Sequence, residues 1–392
     1  MKTLKLIICI MLLTATFACK TNDKNGKTVN EINKSYIDKL ISEHFVTDTV
    51  PGFALLAMKN GEVIYEKTMG LTNIKTKDKF TPNSCVRLAS ITKHMTALSV
   101  LILAERKLID LDTSLTVYFD EFPPLYDSIT PRMLIYHTSG ILDYQSQSHN
   151  FPPDKLERLF SGEEQLSEKD IVNLVAQTDS TYFNPGTEFR YSNTGYILLA
   201  EIVKRISGKS FPEFMKQNIY EPLEMDSTFV YTLDANIPNR AVGHSKNEKG
   251  WVITDQNYSS GLMGDGGVYS TLNDLKKWYL FLTKSKQLFI NNETFVTYLS
   301  EGFWGNGSKL ILPKPENLDT TDTKPLLLPY SYGYGLEFAN YNNKQFIFHG
   351  GASIGFRNMM LFYPEEEIFV VLLTNRNEMP RLIDSLFEHF LK

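Results

Sequence analysis

From Met95 to Ala104 the sequence Met-Thr-Ala-Leu-Ser-Val-Leu-Ile-Leu-Ala offers apolar residues on almost every side of a helix. A helix without a polar face has to be enclosed by other elements. The run predicts a long central helix from Ser90 to Arg106, and the rest of the chain must supply the layers that cover it. With 392 residues the chain is long enough to do so.

Those layers differ along the chain. Near the N-terminus, Gly52–Met58 and Val63–Tyr65 are strand-like runs, and the Asn60-Gly61 pair between them suits a tight hairpin turn. Before them a helix presents Tyr36, Leu40, Ile41 and Phe45 on one face. At the other end, Tyr332–Phe338, Gln345–His349, Phe356–Tyr363 and Ile368–Thr374 alternate or are rich in β-branched and aromatic residues. An amphipathic helix follows over Pro380–Leu391. Between these ends the pattern is mostly helical, with Thr130-Pro131 opening one helix and Gly140 closing it. Glu301–Pro329 carries four prolines and reads as an irregular surface insertion. The expected fold is α+β: one antiparallel sheet built from both chain ends and flanked by helices, with a helical lobe over about residues 110–240 and a cleft between.

The first residues belong to targeting. Met1–Lys5 is basic, Leu6–Ala15 is apolar but short for a membrane span, and Thr16-Phe17-Ala18-Cys19 resembles a lipobox. The expectation is a signal peptide over 1–18, a lipid on Cys19, a polar tether over 19–34 and a catalytic domain over 35–392. The protein would then be exported and anchored to the bacterial cell envelope, with the membrane as a partner. Of the three cysteines, Cys85 would have no disulfide partner, so the core must carry stability. The net charge of −5 comes without a basic run, which argues against nucleic acid. The histidines show no metal-ligand spacing and no phosphate loop is present, so neither a metal nor a cofactor is expected.

Three short motifs carry chemistry. Ser90-Ile91-Thr92-Lys93 places an amine one helical turn from a hydroxyl. Serine needs an adjacent base, and a desolvated lysine can be one. Tyr191-Ser192-Asn193 supplies a phenol able to relay a proton and an amide able to orient lysine and substrate. The same Tyr-x-Asn pattern occurs at Tyr182 and at Tyr341; the latter reads as a hairpin turn, while Tyr182 competes with Tyr191. His349-Gly350-Gly351-Ala352 follows a strand and would let a substrate backbone approach, with the N–H groups of Ser90 and Ala352 forming an oxyanion hole. Gly351–Gly355 matches the Gly-x-Ser-x-Gly elbow, but a strand rather than a helix follows Ser353.

In this order the motifs resemble those of penicillin-recognising serine enzymes: class C β-lactamases, D-alanyl-D-alanine carboxypeptidases, D-aminopeptidases and related esterases. Further segments are similar. They are Leu134–Ile141 (Leu-Ile-Tyr-His-Thr-Ser-Gly-Ile), Phe183–Gly186 leading to Phe189–Tyr196, Gly266–Thr271, and Tyr332-Gly333-Tyr334-Gly335. The resemblance favours Tyr191 over Tyr182. It implies the β-lactamase/transpeptidase-like fold, Ser90 as nucleophile, Lys93 as base, Tyr191 as proton relay, and Asn193 as a positioning residue. It also puts His349, Gly350 and Gly351 at the substrate. Such β-lactamases carry Lys-Thr-Gly where this chain has His349-Gly350-Gly351. A neutral histidine holds a carboxylate poorly, so esters or D-amino-acid amides and peptides are expected to be better substrates than β-lactams. A slowly acylating penicillin or peptidoglycan-fragment sensor is the alternative.

Overall fold

A hairpin from the N-terminal end and a five-stranded meander from the C-terminal end share one sheet. The computed structural model describes residues 33–44, 47–284, 290–312, 329–378 and 382–391. The leader, Cys19, the tether up to residue 32, and Phe45 lie outside the described residues. Helix α1 (Lys34–His44) precedes strands β1 (Phe53–Lys59) and β2 (Glu62–Met69). The sheet is completed late in the chain by β3 (Pro329–Tyr332), β4 (Glu337–Tyr341), β5 (Lys344–Ser353), β6 (Phe356–Tyr363) and β7 (Ile368–Thr374). The seven strands lie in the order β3-β4-β5-β6-β7-β1-β2, every pair antiparallel. The closing pair joins the chain ends, with Phe53 opposite Thr374 and Lys59 opposite Ile368.

β1 and β7 are buried almost throughout, as expected of strands covered on both faces. The face pattern of α1 differs from expectation. Ile37, Leu40 and Ile41 are buried, while Tyr36 is 41% exposed and its ring instead meets that of His389. One predicted strand is also corrected. Tyr332–Phe338 is not continuous, because Gly333–Leu336 form the turn between β3 and β4. The aromatic alternation that suggested a strand serves a turn packed on the start of the central helix.

That helix, α2 (Thr92–Glu105), is buried from Thr92 to Leu103. Each fully buried Leu or Ile contributes about 1.5–3 kcal/mol. Two hydroxyls inside are satisfied, Thr96 donating to the Gly264 carbonyl (2.7 Å) and Ser99 to the Thr96 carbonyl (2.6 Å), while the buried His94 imidazole has no hydrogen-bond partner among the described residues. α2 packs against α4 (Asn193–Ser207), which follows the short α3 (Pro131–Ile135). The helix predicted from Thr130 does start there, with the Thr130 hydroxyl accepting from the Met133 N–H. It ends at Ile135, however, and both His137 (φ 59°) and Gly140 (φ 73°) lie in the left-handed region beyond it. Gly140 is required for another reason: a Cβ there would stand 2.6 Å from the Phe183 carbonyl oxygen.

Candidate active site

The start of α2 is not a plain helix terminus. Ser90 sits in a 3₁₀ turn (Ala89–Ile91), and the α-helix proper begins at Thr92. Ala89 holds φ 51°, an uncommon conformation for a residue with a Cβ. The turn lies directly on β5. Gly351 was expected after its strand but lies inside it, and a Cβ there would come within 2.1 Å of the Leu88 carbonyl oxygen. The strand carries glycine at this point because nothing larger lets the Ser90 turn dock.

The register of β5 decides which peptide groups face the site. Tyr341 pairs with Lys344 across the Asn342-Asn343 turn, and Ser353 pairs with Phe356 across Ile354-Gly355. Pairs that flank two-residue turns exchange hydrogen bonds. Lys344 therefore turns its peptide groups toward β4 and Ser353 turns its own toward β6. Counted by twos from either end, the N–H groups of Gly350 and Ala352 face the β4 side. β4 pairs only as far as Phe348, so beyond that point β5 has an open edge beside Ser90. Ser353 ends β5 and the strand β6 follows it, so the elbow pattern lacks its helix.

Lys93 is completely buried. Its Nζ lies 3.2 Å from Ser90 Oγ, 2.8 Å from Asn193 Oδ1 and 2.8 Å from the Asp265 carbonyl oxygen. Burial lowers its pKa to about 8, opposed by the carboxylates of Asp265, Asp143 and Glu337. Two of the three neighbours can only accept. In the neutral amine, which has two N–H bonds and one lone pair, Asn193 and Asp265 take the N–H bonds and the lone pair is left facing the Ser90 hydroxyl.

Tyr191 stands over this pair. The Lys93 Nζ is 4.9 Å from its ring centroid. Desolvation raises its phenol well above the ordinary value, and hydrogen bonding with Ser90 acts against that rise. The phenol is thus protonated at neutral pH. His137, its ring tilted 4.4 Å from that of Tyr191 and 4.6 Å from that of Tyr332, packs against it, and its Nδ1 accepts from the Ser192 N–H (3.1 Å). Tyr182 is employed elsewhere, sharing a hydrogen bond with Ser146 (2.7 Å) beneath the Arg190 guanidinium. Asn193 is oriented from its backbone: Asp143 Oδ2 accepts its N–H at 2.7 Å and that of Thr194 at 3.3 Å, a favourable place for an anion at a helix start.

His349 reaches the site but faces inward and is only 2% exposed. Its Nδ1 lies 2.6 Å from the Gly350 carbonyl, an acceptor, so Nδ1 carries the proton. Nε2 then accepts from the Tyr332 hydroxyl (3.3 Å). Burial, with the Lys93 charge, lowers the pKa of this imidazole to about 3. Beside it, Glu337 Oε1 is 3.9 Å from Nε2. Asp143, Asp265, Tyr332 and Glu337 were not singled out by sequence reasoning as site residues. Tyr332 lies in a segment that carries the family resemblance and Asp265 directly precedes another, while Asp143 and Glu337 show no local signal.

The family model for Beta-lactamase matches residues 37–388. Penicillin-binding protein 4* of Bacillus subtilis is 28% identical over 339 residues, covering 83% of this chain and 68% of that protein. Protein flp of Staphylococcus aureus is 24% identical over 360 residues, covering 90% and 66%. The chain therefore spans about two thirds of the length of these relatives. Among solved structures, the octameric penicillin-binding protein homologue from Pyrococcus abyssi superposes with a TM-score of 0.75 at 23% identity, covering 92% of this chain and 77% of that one. The D-amino acid amidase from Ochrobactrum anthropi, complexed with L-phenylalanine amide, superposes with a TM-score of 0.71 at 22% identity, covering 91% and 98%.

Proposed function

The chain belongs to the beta-lactamase family of serine hydrolases, and on that premise we propose that it cleaves esters or D-amino-acid amides and peptides through an acyl-enzyme on Ser90. The observation that carries the reading is the arrangement around Lys93, whose two fixed acceptors leave its third direction to Ser90 Oγ.

The Ser90 proton passes to the Lys93 lone pair as Oγ bonds to the substrate carbonyl carbon. The carbonyl oxygen becomes an oxyanion facing the N–H groups of Ser90 and Ala352. Tyr191 gives its proton to the leaving oxygen or nitrogen as the bond from carbon breaks, and takes a proton back from the Lys93 ammonium. Water then attacks the acyl carbon and gives up a proton along the same route. The tetrahedral intermediate collapses, its carbon–Oγ bond breaks, and Oγ recovers a proton as the acid leaves. The Asn193 carboxamide, whose oxygen is held by Lys93, has its NH₂ for the substrate. His349, neutral and almost fully covered, offers no charge for a β-lactam carboxylate, which supports the preference for other substrates.

Labelling by a fluorophosphonate tests the nucleophile. Wild type is expected to label and to turn over a short-chain p-nitrophenyl ester, and Ser90→Ala to do neither. Acylation by a fluorescent penicillin without ester turnover would mean that the chain is a sensor, and efficient nitrocefin hydrolysis would overturn the substrate preference.

A further inference from the structure

Among the described residues, none donates a hydrogen bond to the carboxylate of Glu337. Its side chain is 22% exposed, and burial raises its pKa to about 7, opposed only by the charge of Lys93. Yet Lys93 does not bond to it, since the three directions of that amine are taken by Ser90, Asn193 and Asp265. His349 Nε2, at 3.9 Å, presents a lone pair, because the imidazole proton is on Nδ1. A carboxylate largely withdrawn from water and left without a donor is costly, and such groups collect at sites where a ligand supplies the missing partner.

The position of this carboxylate says which part of a substrate would meet it. Glu337 pairs with Phe348 at the point where the open edge of β5 begins, on the His349 side of the site, and its charge acts on Tyr191, the proton donor to the leaving group. Where β-lactamases place a lysine for a substrate anion, this chain has a neutral imidazole and an adjacent carboxylate. The sign of the recognised group is thereby inverted. We propose that Glu337 is a specificity residue that receives a cationic group, a protonated amine carried by the leaving portion of the ester or amide. The inference rests on Ser90 being the nucleophile, as argued above.

Three butyrate esters with the same acyl group test it at pH 8. Their alcohols are 3-(dimethylamino)propan-1-ol, its neutral isostere 4-methylpentan-1-ol, and 4-hydroxybutanoate. The expected kcat/KM favours the ammonium ester over the neutral one at least tenfold, with the carboxylate ester slowest. Glu337→Gln should remove about tenfold of that preference while changing the neutral ester by less than threefold, and Glu337→Asp should keep it. Equal turnover of the ammonium and neutral esters, a best rate with the carboxylate, or an equal loss on all three in Glu337→Gln would overturn the inference. The equal loss would mean that Glu337 acts through Lys93. Failure to hydrolyse any of them by an enzyme that still labels with fluorophosphonate also overturns it, but leaves Ser90 as nucleophile; absence of labelling would instead defeat the reading on which it rests.

Discussion

Two ionisable groups of the site, one completely buried and one mostly so, are treated in opposite ways. The Lys93 amine has a partner in every direction it can donate, and its pKa is lowered only to about 8. The Glu337 carboxylate has none among the described residues, and its pKa rises to about 7. A fully partnered group is held in one geometry, which is what proton transfer over a single hydrogen bond requires. An unpartnered one has capacity to spare for whatever enters the cleft. The contrast separates chemistry, built on α2 and α4, from recognition, built where β4 gives way to the open edge of β5.

The largest effect that could break this contrast is at Lys93. Lys93→Met keeps length and burial but removes the base, and ester hydrolysis should fall about 10³-fold. A loss under tenfold, measured as kcat/KM, would mean that another group takes the Ser90 proton. Next comes pH. The amine must be neutral to accept a proton, so kcat/KM should rise through about pH 8, where Lys93 titrates, and then level off. A profile flat from pH 6 to 9 would place the base elsewhere. The smallest effect concerns stability. The raised pKa of Glu337 means that the folded state binds more protons than the unfolded state between its ordinary 4.5 and about 7, so this group makes stability fall as pH rises through that window. Glu337→Gln should flatten that part of the curve in denaturant titrations at pH 4.5, 6 and 7.5. An unchanged slope would show that the carboxylate is not strained by burial.

Some of this was legible in the chain. Apolar runs at both ends and the all-round apolar α2 determined an α+β fold with a buried helix, because hydrophobic periodicity is local and survives without neighbours. That Ser90 and Lys93 share a face followed from their spacing, since residues one helical turn apart do so whatever surrounds them, while their roles came from the three motifs taken together. The Asn60-Gly61 and Asn342-Asn343 turns were visible for the same reason: their conformational needs belong to the residues themselves.

Tertiary structure decided the rest. That Gly351 belongs inside β5 and that Asp143 fixes Asn193 across fifty residues are contacts between distant segments, with no trace in local pattern. The protonation of Lys93, His349 and Glu337 belongs here too. A side chain's ordinary pKa is written in its identity, but its shift comes from lost water and nearby charge, and those exist only once the sheet, the helices and the cleft between them have closed around it.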